Sequence, residues 1–317
     1  MTLPLFPSAP AFGREGLAQK LRALAAEKVF IGTSSWKYEG WCGQIYTHER
    51  YQTRGRFSQK KFEGECLCEY ADIFPVVCGD FSFYQFPTPE YWKRLFDLAG
   101  PRLRFAFKVP EDITVKEFPG HPRYGERGGQ PNESFLNADL FGSTFLQPLE
   151  PFRNHVAVLI FEFATFARRS YENISDFIAE LDPFLSKLPV TWRYAVEIRN
   201  EEFLAAEYFS CLREHSVAHV YNAWTRMPEL DEQIAIPDTD TTDFTITRAL
   251  LRRGRAYEQA VEKFSPYEKI LDENTRAREA IREQIRRARE RRRSAYIFVN
   301  NRLEGNAPLT IEAILNE

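Results

Sequence analysis

The residues best suited to chemistry are charged side chains that interrupt apolar runs. Glu197 stands inside YAVEIR (194–199), with Arg199 two positions further on. Lys108 nearly closes LRFAFKV (103–109), Glu162 nearly closes VAVLIFEF (156–163), Arg248 lies late in FTITRAL (244–250), and Asp80 lies in VVCGDFS (76–82). An unpaired polar group in apolar surroundings costs about 2–7 kcal/mol, so each of these needs a partner or a ligand. A carboxylate at Glu197 would have its pKa raised by desolvation or held down by a nearby cation. Either setting suits general acid–base catalysis. Glu197, Lys108 and Asp80 therefore form the candidate catalytic set, with a structural ion pair between Glu197 and Arg199 or Lys108 as the alternative. Lys108 and Arg248 could clamp a phosphate or carboxylate, Arg through its planar fork and Lys as a point charge. The alternative for both is charge balance for Asp80, Glu162 and Glu197.

Further candidates for ligand contact are Trp36, Tyr84, Glu162, Arg199, Arg248, Asn300 and Asn301. Aromatic faces at Trp36, Trp41, Tyr46, Phe83 and Tyr84 suit a sugar or a base, or else pack beneath loops. Asn300 and Asn301 could bond a ligand or stabilise the turn that follows them. Asp80, Glu162 and Glu197 could hold Mg or Mn through oxygen, so a divalent metal is a conceivable cofactor. Of the five histidines only His219 falls on a strand-like run, which gives no His-rich zinc cluster. The spacing of Cys42, Cys66, Cys68 and Cys78 matches no iron–sulfur pattern.

These side chains need a scaffold, and the chain has a rhythm that supplies one. Eight runs rich in Val, Ile, Phe and Tyr begin near residues 29, 76, 103, 156, 192, 217, 244 and 295. Several are continuously apolar, as expected for parallel strands covered on both faces. Helical patterns lie between them at 60–72, 88–99, 170–187, 201–215 and 274–293. Alternation of strands and helices implies βαβ units, and eight of them imply closure. The expected fold is α/β, a single-domain TIM-type (β/α)8 barrel over 29–317. It is preceded over 1–28 by a tail and an added helix, in which Leu17, Leu21, Leu24 and Ala25 share one face. In such a barrel, polar residues at strand C-termini point into the mouth, where active sites are built. GTSSWKYEG, after the first strand, is neither a dinucleotide fingerprint nor a Walker loop. The loop at 110–133 is long enough to be a lid over that mouth or a disordered segment.

Five segments carry a resemblance: IGTSSWKYEGWCGQIY (31–46), CEYADIFPVVCGDFSFYQFPTPEYWKRL (68–95), RFAFKVPEDIT (104–114), YAVEIRNEEFL (194–204) and YIFVNNRLEGNAPLTIEAIL (296–315). In this order and without gaps they resemble the YecE-like family, domain of unknown function 72. The resemblance implies a TIM-type barrel and no settled activity, and a barrel alone fixes none. Where the family usually has Glu and Asn on the second strand, this chain has Cys78 and Asp80. A Gln usual on the fourth strand is Glu162 here, and the His-Gly that often follows the seventh-strand Arg is absent after Arg248.

The 317 residues carry a formal charge of −3, which argues against general nucleic-acid binding. One local exception is RAREAIREQIRRARERRR (276–293), with nine arginines against three glutamates. It reads as a solvated barrel helix or as a phosphate-backbone contact. No apolar run reaches the roughly 18 residues of a membrane helix, and five cysteines without a secretion signal point to reduced thiols in the cytoplasm. Two functions follow as expectations. The first is an enzyme, reaction class open between hydrolase, isomerase and lyase, acting by acid–base chemistry on a small anionic or sugar-like substrate. The second is a nucleic-acid-binding protein or nuclease using helix 276–293.

Overall fold

A computed structural model describes residues 12–316. Eight parallel strands close into a barrel: β1 (Val29–Thr33), β2 (Val76–Gly79), β3 (Arg104–Lys108), β4 (Val156–Glu162), β5 (Tyr194–Glu197), β6 (Ala218–Ala223), β7 (Phe244–Ala249) and β8 (Ser294–Val299). Each pairs with its sequence neighbours, and β1 closes the ring against β8 with Val29 to Thr33 facing Ala295 to Val299. The expected TIM-type α/β fold is thus present. All strands but β6 stop one to three residues short of the apolar runs, because residues such as Ser34 and Ile198 already belong to the βα loops.

Around the barrel lie α1 (Arg14–Ala26), α2 (Gln59–Ile73), α3 (Pro89–Ala99), α4 (Ile174–Leu185), α5 (Ala206–Glu214), α6 (Leu230–Ala235), α7 (Tyr257–Phe264), α8 (Thr275–Glu290) and α9 (Ala307–Asn316). Their starts follow capping chemistry, in which a side-chain oxygen accepts from an orphan backbone N–H. Ser58 accepts from Lys61, Thr88 from Tyr91 and Asn274 from Ala277; Asn173 and Asp176 form a reciprocal box. The added helix α1 buries Leu17, Ala18 and Leu21. No helix among the described residues is long and apolar enough to cross a membrane.

The barrel interior follows from the period of two along each strand. Val158 and Ile160 of β4, Phe244 and Ile246 of β7, and Tyr296 and Phe298 of β8 fill it with hydrocarbon together with Val76, Cys78, Ala106, Ala195 and Val220. Two residues further along the same inward faces come Asp80, Lys108, Glu162, Glu197, Asn222 and Arg248. The alternation that packs the lower layers therefore delivers a polar layer at the C-terminal end.

The 110–133 loop is folded rather than disordered. Asn132 donates to the carbonyls of Asp112 and Val115 at 2.8 and 2.7 Å, and Glu111 accepts from Arg123 and Tyr124 at 2.5 and 2.8 Å.

At Gly32 a Cβ would fall 1.8 Å from the Val76 carbonyl oxygen, since β1 runs tight against β2 there. Gly32→Ala should lower the unfolding free energy by about 1–3 kcal/mol or more through overpacking. Gly64→Ala, in α2 with nothing within 4 Å, should instead raise it by about 0.5–1 kcal/mol. Urea unfolding of the two variants checks the opposite signs.

Candidate functional site

The register of β4 and β5 sets Glu162 directly beside Glu197. Two guanidinium groups bridge this carboxylate pair. Arg248 reaches across the barrel from β7, and its Nη1 donates to Glu162 Oε2 at 2.6 Å and to Glu197 Oε2. Arg199, just past β5, places Nη2 3.0 Å from Glu162 Oε1 and 3.2 Å from Glu197 Oε1. Lys108 Nζ lies 3.0 Å from Glu162 Oε1 and 3.9 Å from Asp80 Oδ1, and Arg248 Nη2 lies 3.6 Å from Asp80 Oδ1. Three carboxylates thus meet three cations. Aromatic faces back two of the cations: Lys108 Nζ sits 3.7 Å from the Phe83 ring centre, and the Arg199 guanidinium 3.8 Å from that of Trp224.

Burial alone would raise the Glu162 pKa, but Arg199, Lys108 and Arg248 overcome it and hold the carboxyl well below the usual range. Burial likewise opposes the charge of Arg248, yet Glu197, Glu162 and Asp80 keep it firmly protonated. Cys78, one turn of the pleat below, has its thiol pushed up to about 12 by burial. It is therefore a neutral packing group and not a nucleophile.

Glu197, Lys108 and Arg248 come together in this geometry, but access differs among them. Glu197 is 0% exposed, and both its oxygens are engaged by arginines, so it has no face toward a ligand. The side chain of Asp80 is 37% exposed; its Oδ1 is the buried oxygen, facing Lys108 and Arg248 without a hydrogen bond among the described residues. A groove of about 1170 Å³ opens beside the cluster, with Arg199 in its wall. Thr165, Asn200 and Arg226, from the loops after β4, β5 and β6, line it too, which places it on the C-terminal face.

Other candidates lie elsewhere. Trp36 is buried edge-on to Phe81 and Phe105 and lines the crevice between α2 and α3, because the chain turns outward directly after β1. Tyr84 is exposed at the rim with Arg123 stacked on its ring at 4.9 Å. Asn300 Oδ1 accepts from the Arg302 backbone at 2.9 Å; Asn301 Oδ1 accepts from Ala307 N at 2.8 Å and Trp41 Nε1 at 3.2 Å. Both thus bind the turn after β8 through these oxygens. The oxygens of Asp80, Glu162 and Glu197 face Lys108, Arg199 and Arg248 rather than a vacant ligand sphere. Trp224, which was not among the candidates, stacks on Arg199; its place just past β6 was the available signal.

In α8 and the turn after it, every arginine except Arg292 meets a carboxylate among the described residues. Arg276 pairs with Asp231 and Glu232, Arg278 with Glu304, Arg289 with Glu27, and Arg291 and Arg293 with Asp240. Arg282, Arg286 and Arg287 pair within the helix.

Arg248→Met should lower stability at neutral pH by about 3–5 kcal/mol, because it strands two buried carboxylates. The folded Glu162 pKa lies below its unfolded value of about 4.3. The ionised group therefore adds stability at neutral pH, and that stability is lost as pH falls from the unfolded value toward the lower folded one. Unfolding free energies measured across this acid range should decline less steeply in Glu162→Gln than in the parent chain.

The sequence profile described as "protein of unknown function DUF72" matches residues 30–317. A DUF72 family protein of Thermotoga maritima superposes with a TM-score of 0.60 at 20% identity, covering 91% of this chain and 99% of that one. A DUF72 family protein of Enterococcus faecalis gives 0.60 at 15% identity, covering 91% and 96%. No curated protein matches. With the profile running from the first barrel strand to the last residue, this chain belongs to the DUF72, or YecE-like, family.

Proposed function

We propose that this chain is an enzyme that moves a proton on a small anionic substrate at the C-terminal mouth of the barrel. One observation carries the reading. Lys108 Nζ and Arg199 Nη2 both lie 3.0 Å from the same oxygen, Glu162 Oε1. Two cations converging on a single acceptor atom leave donor capacity on each. Arg199 continues into the groove wall, so a phosphate or carboxylate arriving there meets a guanidinium that Glu162 and Glu197 already hold in place. Asp80, beside Lys108 and the most exposed of the three carboxylates, is the acid–base group in this reading. Glu197 acts through the arginines that it positions.

Substrate class favours an anion over a neutral sugar. The flat aromatic faces nearest the cluster, Phe83 and Trp224, are covered by Lys108 and Arg199, and Trp36 lies outside the mouth. Hydrolysis, isomerisation and elimination all remain compatible with one exposed carboxylate and two cations.

A screen of small phosphorylated and carboxylated metabolites by thermal shift, followed by product detection, tests the reading. Asp80→Asn should reduce kcat by about 10²–10⁴-fold with little change in KM, the usual worth of general acid–base catalysis. Lys108→Met should mainly raise KM, with circular dichroism confirming the fold. Turnover undiminished in Asp80→Asn would overturn the assignment. The nucleic-acid reading lacks free charge, since α8 is neutralised by its neighbours. Retention on duplex DNA or RNA should accordingly show almost no dependence of log affinity on log salt, whereas several phosphate contacts would give a steep slope.

A further inference from the structure

Far from the mouth, α4 and α5 bring three different ligand types together. Asp182 lies near the end of α4; Cys211 and His215 lie at i and i+4 on α5 and its C-terminal cap, so they share one face. The carboxylate oxygen, Sγ and ring nitrogen all fall within 4.8 Å of one another. His215 Nε2 is 2.7 Å from Asp182 Oδ1. Among the described residues this is the compact His, Cys and carboxylate group that could encircle an ion.

We infer that Asp182, Cys211 and His215 form a binding site for a divalent ion of the zinc class, which clips α4 to α5 at the N-terminal end of the barrel. This proposal does not depend on the chemistry at the mouth. Thiolate, imidazole and carboxylate together suit zinc, a borderline-soft ion that takes S, N and O ligands at about 2.0–2.3 Å. Ligand atoms around such an ion stand less than about 4 Å apart, so small side-chain rotations complete the sphere. Burial, and then the charges of Asp182 and Glu214, push the Cys211 thiol up to about 11, so an ion bound there has to displace its proton. Burial holds Cys211 at 5% exposure while the Asp182 side chain is 49% exposed, so the sulfur is anchored and the carboxylate can close from solvent.

A pocket of about 400 Å³ lined by Trp192, Glu214, His215 and Phe244 adjoins the group at His215. Three protein ligands leave a fourth position for water, the pattern of an open rather than a closed zinc site. Helices run opposite to the strands in a βα barrel, so the C-terminal ends of α4 and α5 lie at the face that usually serves stability. A clip there fits a structural or metal-sensing role.

The experiment is a titration of chelator-treated full-length chain with cobalt(II) chloride, followed by displacement with zinc chloride. The expected result is one cobalt per chain, with thiolate-to-cobalt charge-transfer absorption that zinc abolishes, and a Tm raised by zinc. Cys211→Ser should lose the charge-transfer band. His215→Ala and Asp182→Asn should each weaken binding by more than about tenfold, the lower bound even for loss of an outer-shell partner. Asp182→Asn, at a half-exposed position, keeps the test valid if the buried cysteine variant unfolds. Absence of the band in the parent chain would overturn the site, and so would a band that survives Cys211→Ser or an affinity unchanged in Asp182→Asn. Each of these results would leave only an ion pair between His215 and Asp182.

Discussion

Two carboxylates on adjacent strand ends, bridged by two guanidinium groups, are the constraint on which the rest of the mouth depends. The parallel register of β4 and β5 leaves Glu162 and Glu197 no choice but to lie side by side. Desolvating such a pair is costly, and the attraction of partner charges repays it only when geometry and hydrogen bonding are good. Arg248 and Arg199 meet that condition from opposite sides, one from across the barrel and one from the adjoining loop. Replacing an Arg with Lys at either place would not serve, since one ammonium cannot span two carboxylates with a fixed planar fork.

The layered interior makes this arrangement possible. Hydrocarbon from β2, β4, β7 and β8 seals the barrel below the charges, so the local dielectric is low and the ion pairs are strong. The same seal confines water and ligands to the top. Polarity then grades outward: Glu197 and Arg248 are almost wholly buried, Lys108 and Arg199 are slightly open, and Asp80 is the most exposed. The inner charges fix positions and the outer ones can exchange partners. That gradient separates the role of a positioning residue from that of a group able to meet a substrate.

Much of this was legible from alternation alone. Val158 and Ile160 before Glu162, Phe244 and Ile246 before Arg248, and Ala106 before Lys108 mark the inward faces, and the strand ends mark the height. The resemblance over 31–46 and 296–315 agreed with the closure that β1 and β8 make. What alternation cannot encode is which side chain meets which across the barrel. It therefore could not show that both oxygens of Glu197 are engaged, or that Trp36 turns outward between α2 and α3. The arginine-rich helix shows the same limit. Its partners Glu27, Asp231, Asp240 and Glu304 come from distant segments, so composition within the helix overstates its free charge. Cys211 and His215 carried a readable i, i+4 signal, but Asp182 joins them only through the packing of α4 on α5.

The two ends of the barrel thus treat charge in different ways. At the top, every carboxylate in the cluster already has a cation, and a ligand must compete for Lys108 and Arg199 or add to them. In the proposed reading an anion does this without breaking the Glu162–Arg248–Glu197 bridge, because Arg248 contacts the Oε2 atoms of both glutamates while Lys108 and Arg199 share Glu162 Oε1. A metal ion there would have to displace three cations at once, which disfavours it on electrostatic grounds. At the bottom, Asp182, Cys211 and His215 offer oxygen, sulfur and nitrogen to a single point. The two proposals differ accordingly, a cation at the bottom and an anion at the top.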